Sequence, residues 1–163
     1  MECIGDKERL LHFAGRRRIL IAVDESISSK RAVSFICEMF RGVSGFTFIL
    51  YNLVNLFDDD DFVCDLECNE FIKSAVKEKT KILEEYKSML MESGIREEDI
   101  ITKSEIRSEP TVAECILKEQ RSAQCSAIVT GRRGISKREE FLMGSTSNRL
   151  VHLAKDCAVW VIE

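Results

Sequence analysis

Ala127-Ile128-Val129-Thr130-Gly131-Arg132-Arg133-Gly134, followed after nine further residues by Gly144-Ser145, is the stretch on which the fold turns. The branched apolar run reads as a strand buried on both faces, ending at a glycine. A basic loop follows, and a second glycine with a hydroxyl residue opens a helix-like segment. Three of the chain's eight glycines lie between residues 131 and 145. Glycine lets backbone N–H groups come close to an anion, and a helix N-terminus favours negative charge, so the layout is that of a nucleotide-phosphate cradle. Each residue also has a plainer reading: Gly131 a turn, Ser145 an N-cap, Arg132 and Arg133 solvated surface charge. Their joint register is what points to a ligand, because at an average glycine usage of about 7% it should seldom arise by chance.

Working outward, Ile19-Leu20-Ile21-Ala22-Val23 is a second continuous apolar run, stopped by Asp24. Ser26 or Ser28 can cap the helix that follows, whose Ala32, Val33, Ile36, Met39 and Phe40 recur at helical spacing until Gly42 and Gly45. Asp24 could cap that helix too, a role compatible with contacting a ligand. Residues 46–54 read as a strand, 55–61 as an acidic loop, and about 67–93 as a long amphipathic helix closed by Gly94. Residues 100–106 alternate as a strand, and Pro110 suits the first turn of a helix that buries Val112, Ala113, Ile116 and Leu117. Strand 126–130, helix 145–154 and strand 157–162 complete five strand-helix alternations. The pattern predicts a single-domain α/β fold, an open parallel sheet with helices on both faces; a barrel needs about eight repeats and 200 or more residues.

In such sheets ligands sit beyond the carboxyl ends of the strands, where the strand order reverses. If the strands ending at Val23 and Thr130 are neighbours, Asp24 and the glycine loop face one crevice. An acid there suits a ribose hydroxyl or metal-bound water, and the loop suits phosphates.

Composition narrows the function classes. The chain has 163 residues, 45% of them apolar, and a net charge of −4, which fits one globular domain and argues against a general nucleic-acid binder. No apolar run reaches the roughly 18 residues of a membrane helix, no signal-peptide core precedes Arg16-Arg17-Arg18, and seven cysteines lack a CxxC pair. These features suggest a cytoplasmic protein with reduced thiols. His12 and His152 are the only histidines, neither beside a nucleophile motif, and Cys64 and Cys68 lack a second metal-ligating pair. Neither a Gly-x4-Gly-Lys-Ser/Thr loop nor a Gly-x-Gly-x2-Gly turn occurs.

Residues 131–145 match the Gly-x2-Gly-x9-Gly-Ser/Thr motif of the universal stress protein family. Residues 19–26, with Asp24 and Ser26, resemble that family's opening strand, and Cys157-Ala158-Val159-Trp160-Val161-Ile162 resembles its last. The resemblance covers residues 16–163 and leaves 1–15 as a tail. It implies a Rossmann-like sheet of order 3-2-1-4-5, homodimers paired through the last strand at Val159 and Val161, and ATP or a related adenine nucleotide with Mg or Mn. Carried over, Ala22 and Asp24 flank adenosine, Asp24 on the ribose. Val54, or Leu53 in the neighbouring register, meets adenine through its backbone. Thr130, Gly131, Arg132 and Gly134 line the ribose and phosphates, and Gly144, Ser145 and Thr146 hold the phosphates. Ser126 departs from the aspartate common at its position, which should alter a capping interaction, and neither the tail nor the acidic segment 57–70 has a counterpart. The expected function is a nucleotide-dependent regulatory module in the stress response with at most slow hydrolysis. The alternatives are an ATPase or autokinase, an adenylyl-transferring relative, and a nucleotide-free dimeric adaptor.

Overall fold

The computed structural model describes residues 17–54, 68–132 and 145–163, with the backbone alone for 68–76. The tail, the acidic run 58–61, Cys64, Arg133, Gly134 and Gly144 lie outside the described residues. Among them, the elements in chain order are β1 (Arg18–Ala22), α1 (Ile27–Met39), β2 (Thr47–Val54), α2 (Cys68–Glu92), β3 (Ile100–Ile106), α3 (Val112–Ser122), β4 (Ala127–Gly131), α4 (Ser145–Leu153) and β5 (Ala158–Ile162). A short 3-10 turn, Glu97–Asp99, leads into β3. The strands form one parallel sheet of order β3-β2-β1-β4-β5, as expected.

The two-residue side-chain period of a strand splits β1 between two cores. Ile19, Ile21 and Val23 join Phe48, Leu50, Ile100 and Val129 beneath α1 and α2. Leu20 and Ala22 join Ile49, Tyr51, Ile128 and Leu150 beneath α3 and α4. Leu20 and Ile21 are both fully buried, which explains an unbroken apolar run where a one-sided strand would alternate. Trp160 of β5 meets Phe35 edge-on at 5.9 Å and stacks on Phe40 at 6.3 Å, seating α1 over that side of the sheet.

Local sequence sets the helix ends. Ser26 is the N-cap of α1, accepting from the Ser29 N–H at 3.1 Å. At α3, Thr111 and Glu114 form a reciprocal capping box, so the helix begins at Val112 with Thr111 extended. Pro110 therefore lies before the cap and outside the first turn that its residue type suggested. Ser126 at the head of β4 donates its hydroxyl to the Arg18 carbonyl at 3.1 Å, tying β4 to the start of β1.

Two helices stop in the same way. After α2, Gly94 takes φ +98°, its N–H reaching Met91 O at 2.9 Å and the next N–H, of Ile95, reaching Leu90 O at 3.2 Å. After α3, Gln124 takes φ +54°, with Gln124 N–H to Arg121 O at 3.2 Å and Cys125 N–H to Gln120 O at 2.9 Å. Both are Schellman ends that bury the following residue, Ile95 or Cys125. The glycine adopts this left-handed backbone without a Cβ clash, whereas the glutamine carries that cost.

The side chains of Cys37, Cys115, Cys125 and Cys157 are free thiols, and burial pushes Cys125 up to about 11. Among the described residues no helix is long and apolar enough to cross a membrane.

The two helix ends supply a matched stability test. A Cβ at Gly94 meets nothing within 4 Å, so Gly94→Ala isolates backbone strain and should destabilise by about 1 kcal/mol. Gln124→Gly should stabilise by about 0.5 to 1 kcal/mol. Urea midpoints should move in opposite directions; coincident midpoints for both variants and the parent would contradict the account.

Candidate functional site

The order of the sheet reverses between β1 and β4, and the register there pairs Ala22 with Thr130. The turns after both strands consequently emerge side by side. On the β1 side the turn is locked by its own side chains. The Asp24 Oδ1 accepts from the Ser26 N–H at 2.9 Å and from the Ser29 hydroxyl at 2.6 Å, and the Ser29 Oγ accepts from the Asp24 N–H at 3.0 Å. Helix capping falls to Ser26, and Asp24 forms an Asx turn ahead of it. Its Oδ2 has no partner among the described residues. From α2, the Tyr86 hydroxyl donates to the Asp24 carbonyl at 2.9 Å, and Lys79 pairs with Glu25. Burial, with the charge of Asp24 and its acidic neighbours, pushes the Tyr86 phenol up to about 12.

On the β4 side, Thr130 is buried and its hydroxyl donates to the Gly131 carbonyl at 3.2 Å. Gly131 meets a need beyond phosphate approach. A Cβ placed there would lie 2.6 Å from both the carbonyl carbon and the Cβ of Ser28, and 2.8 Å from the Ser28 oxygen. The first turn of α1 thus rests directly on the end of β4. Arg132 N–H donates to Ile162 O at 2.7 Å, and its carbonyl accepts from the Ser147 hydroxyl at 2.8 Å, which fastens the start of α4 to the end of β4. The Arg132 guanidinium is turned to Glu163, 2.5 Å away, on the outer side of the sheet. Ser145, exposed, and Thr146, half-buried, are the first two residues of α4.

The backbone of β2 separates Val54 from Leu53 by the direction of their peptide groups. Val54 is buried and its carbonyl accepts from the Arg107 N–H at 3.0 Å, so its peptide groups face β3. Tyr51 O accepts from Val23 N–H at 2.9 Å and so faces β1. Because strand peptides alternate in direction, Leu53 faces the same way as Tyr51, two residues beyond the last register pair, Ala22 with Tyr51. The Leu53 N–H and C=O are therefore directed toward the crevice. Beside them Asn52 is buried, its Nδ2 donating to Val23 O at 2.7 Å while its Oδ1 has no partner among the described residues.

The structure thus sets Ala22, Asp24, Thr130 and Gly131 side by side with the start of α4 at Ser145 and Thr146, turns the Val54 peptide toward β3 and the Leu53 peptide toward the β1 side, pairs the Arg132 side chain with Glu163, and adds Tyr86 and Ser147. Tyr86 carried no sequence signal of its own, since its spacing marks only the buried face of α2. A separate cleft of about 390 Å³ lies at the outer strand β3. Its charges are mutually paired, Lys103 with Glu105 at 2.8 Å and Glu119 at 2.5 Å, and Lys118 with Glu109 at 2.6 Å. Among the described residues no three His, Cys, Asp or Glu side chains are grouped to hold a metal ion.

An open parallel sheet of order β3-β2-β1-β4-β5, with an acid-bearing turn beside a glycine-ended strand where that order reverses, defines a doubly wound α/β protein. The chain belongs to the universal stress protein family, whose model matches residues 15–163. Universal stress protein YxiE of Bacillus subtilis (strain 168) is 33% identical over 94 residues, 58% of this chain and 59% of that protein, so the aligned part is less than two thirds of the relative. A universal stress protein solved in complex with cAMP superposes with a TM-score of 0.65 at 18% identity, covering 92% of this chain and 99% of that one. One from Archaeoglobus fulgidus in complex with dAMP does so with a TM-score of 0.59 at 18% identity, covering 91% and 98%. At such identities the structures establish the shared fold.

Two measurements probe the site's scaffold. Gly131→Ala should lower stability by about 1 to 3 kcal/mol through overpacking. Adding Ser28→Gly should not restore it, since the Ser28 backbone also obstructs; recovery of the parental urea midpoint would place the clash in the side chain alone. Tyr86 has a folded-state pKa raised above the ordinary 10, so its contribution is full below pH 10 and is lost as pH climbs toward about 12. Tyr86→Phe should therefore flatten the alkaline limb of the stability profile, and an unchanged limb would dismiss this assignment.

Proposed function

We propose that this protein is an adenine-nucleotide-binding regulatory module, with ATP as its principal ligand. The observation that carries the reading is the Ala22–Thr130 register together with the Ser147–Arg132 bond, which gathers the Asp24 turn, the end of β4 and the start of α4 around one crevice. Asp24, held through Oδ1, offers Oδ2 to a ribose hydroxyl. Leu53, the alternative to Val54, offers backbone N–H and C=O to adenine. The first-turn N–H groups of α4 at Ser145 and Thr146 supply dipole and donors to phosphates. Gly134 and Gly144 extend that cradle on the strength of the family motif. Half-buried Arg132 pairs with exposed Glu163, a contact worth about 1 kcal/mol, so a phosphate could draw the arginine away at small cost.

The cAMP and dAMP carried by the two similar structures support an adenine ligand class. A Mg or Mn ion would be held chiefly by the nucleotide's own phosphates, as is usual for Mg sites with few protein carboxylates. Asp24 is a fixed acceptor engaged by two donors, which suits holding better than proton abstraction, and hydrolysis is slow in this reading. Occupancy of the crevice then sets a surface read by partners in a stress response. The outer strand β5, with Val159 and Val161 partly exposed, is the surface for homodimer pairing.

Isothermal titration with ATP and Mg should show saturable binding, with turnover below about one per second. Analytical ultracentrifugation of the same sample should show a dimer. Absence of binding at millimolar ATP would end the nucleotide assignment, faster turnover would make the protein an enzyme, and a monomer at high concentration would remove β5 as an interface.

A further inference from the structure

We propose that Arg107 and Arg149 form a cationic cleft beside the crevice that selects nucleotides with two or three phosphates over monophosphates; this rests on the adenine-nucleotide reading above. A cleft of about 280 Å³ lies between the loop after β3 and the start of α4, with the two arginines, Thr111 to Ala113 and Ser145–Thr146 in its walls. Clefts that enclose a whole small ligand run to roughly 300–1,000 Å³, so this one suits a fragment such as a phosphoryl tail. Ser145 and Thr146 line it, which makes it continuous with the phosphate end of the proposed crevice.

Among the described residues its lining carries no Asp or Glu, in contrast to the cleft at β3, and Arg149 has no acidic partner. The Arg107 Nε donates to Glu109 O at 3.1 Å and Nη2 to Pro110 O. Carbonyl partners orient the guanidinium and leave its full charge in place, so the group is aimed in advance of any ligand. The capping box holds the Glu114 carboxylate on Thr111, where the Thr111 N–H and hydroxyl engage it, and the positive contribution comes from the N–H groups it does not use. It engages the Thr111 and Glu114 N–H groups and leaves those of Val112 and Ala113, the first-turn residues in the cleft wall, outside its two bonds. Two forked cations with backbone donors between them match the oxygens of a second or third phosphate, while a single phosphate is already served by the start of α4.

Titration calorimetry of ATP, ADP and AMP at fixed ionic strength tests this on the full chain, with Arg149→Gln and Arg107→Gln as variants. The parent should bind ATP at least about tenfold more tightly than AMP. Arg149→Gln should weaken ATP about tenfold and leave AMP within about twofold. Arg107→Gln should act in the same direction, with a thermal melt confirming that the loop it orders is still folded. An ATP-to-AMP ratio unchanged in both variants, or equal losses for both nucleotides, would overturn the cleft's role while leaving nucleotide binding intact. If the parent binds no adenine nucleotide, the functional reading fails separately and tripolyphosphate decides the cleft. Binding of tripolyphosphate that Arg149→Gln abolishes upholds an anion site, and no binding overturns it.

Discussion

The first turn of α1 sits on the end of β4 so closely that Gly131 has no room for a Cβ. This contact fixes how closely the Asp24 turn, which leads into α1, approaches the end of the neighbouring strand β4. It also explains why Asp24 is so heavily bonded. A turn pressed against a strand end must hold its shape from within, and the bonds from Ser26 and Ser29 do so while Tyr86 holds it from α2. A carboxylate fixed in this way is preorganised, with its side-chain freedom already spent within the turn.

The two outer strands of the sheet are finished in opposite ways. β3 carries Lys103 and Glu105, joined by Glu119 from α3. The hydrogen bond from Lys103 holds the Glu105 carboxyl below its ordinary range, against a smaller opposing effect of burial. Charges of this kind blunt an outer strand against pairing. β5 carries Ala158, Val159, Trp160, Val161 and Ile162, with nothing charged until Glu163. The sheet thus has one charged edge and one apolar edge, with the β1–β4 switch point between them.

Much of the fold was legible along the chain because the buried strands leave an unambiguous signature. Ile19 to Val23 and Ala127 to Val129 are apolar without alternation, and only a strand covered on both faces produces that. Strand limits read from residue type agree with the structure to about one residue, as at Thr47, Ala127 and Ala158. Pro110 misled because proline tolerates several positions near a helix start, and the Thr111–Glu114 box chose among them. At the site, Asp24 and the glycine register were visible as motifs. Which of Leu53 and Val54 turns its peptide toward β1 was not legible, since side-chain identity says nothing about which way a peptide group faces; the pairing of β2 with β1 and β3 sets that direction.

By itself the sequence determined the alternating elements, the covered strands and a phosphate-type register of glycines, because periodicity and backbone permissiveness are local properties of residue type. The tertiary structure decided that Gly131 is required by Ser28, that the Arg132 side chain leaves the crevice for Glu163, and that Arg107 and Arg149 share a cleft. Those facts join residues up to 103 positions apart. Only the packing of helices on a sheet of fixed strand order brings such residues within reach, and no local pattern records it.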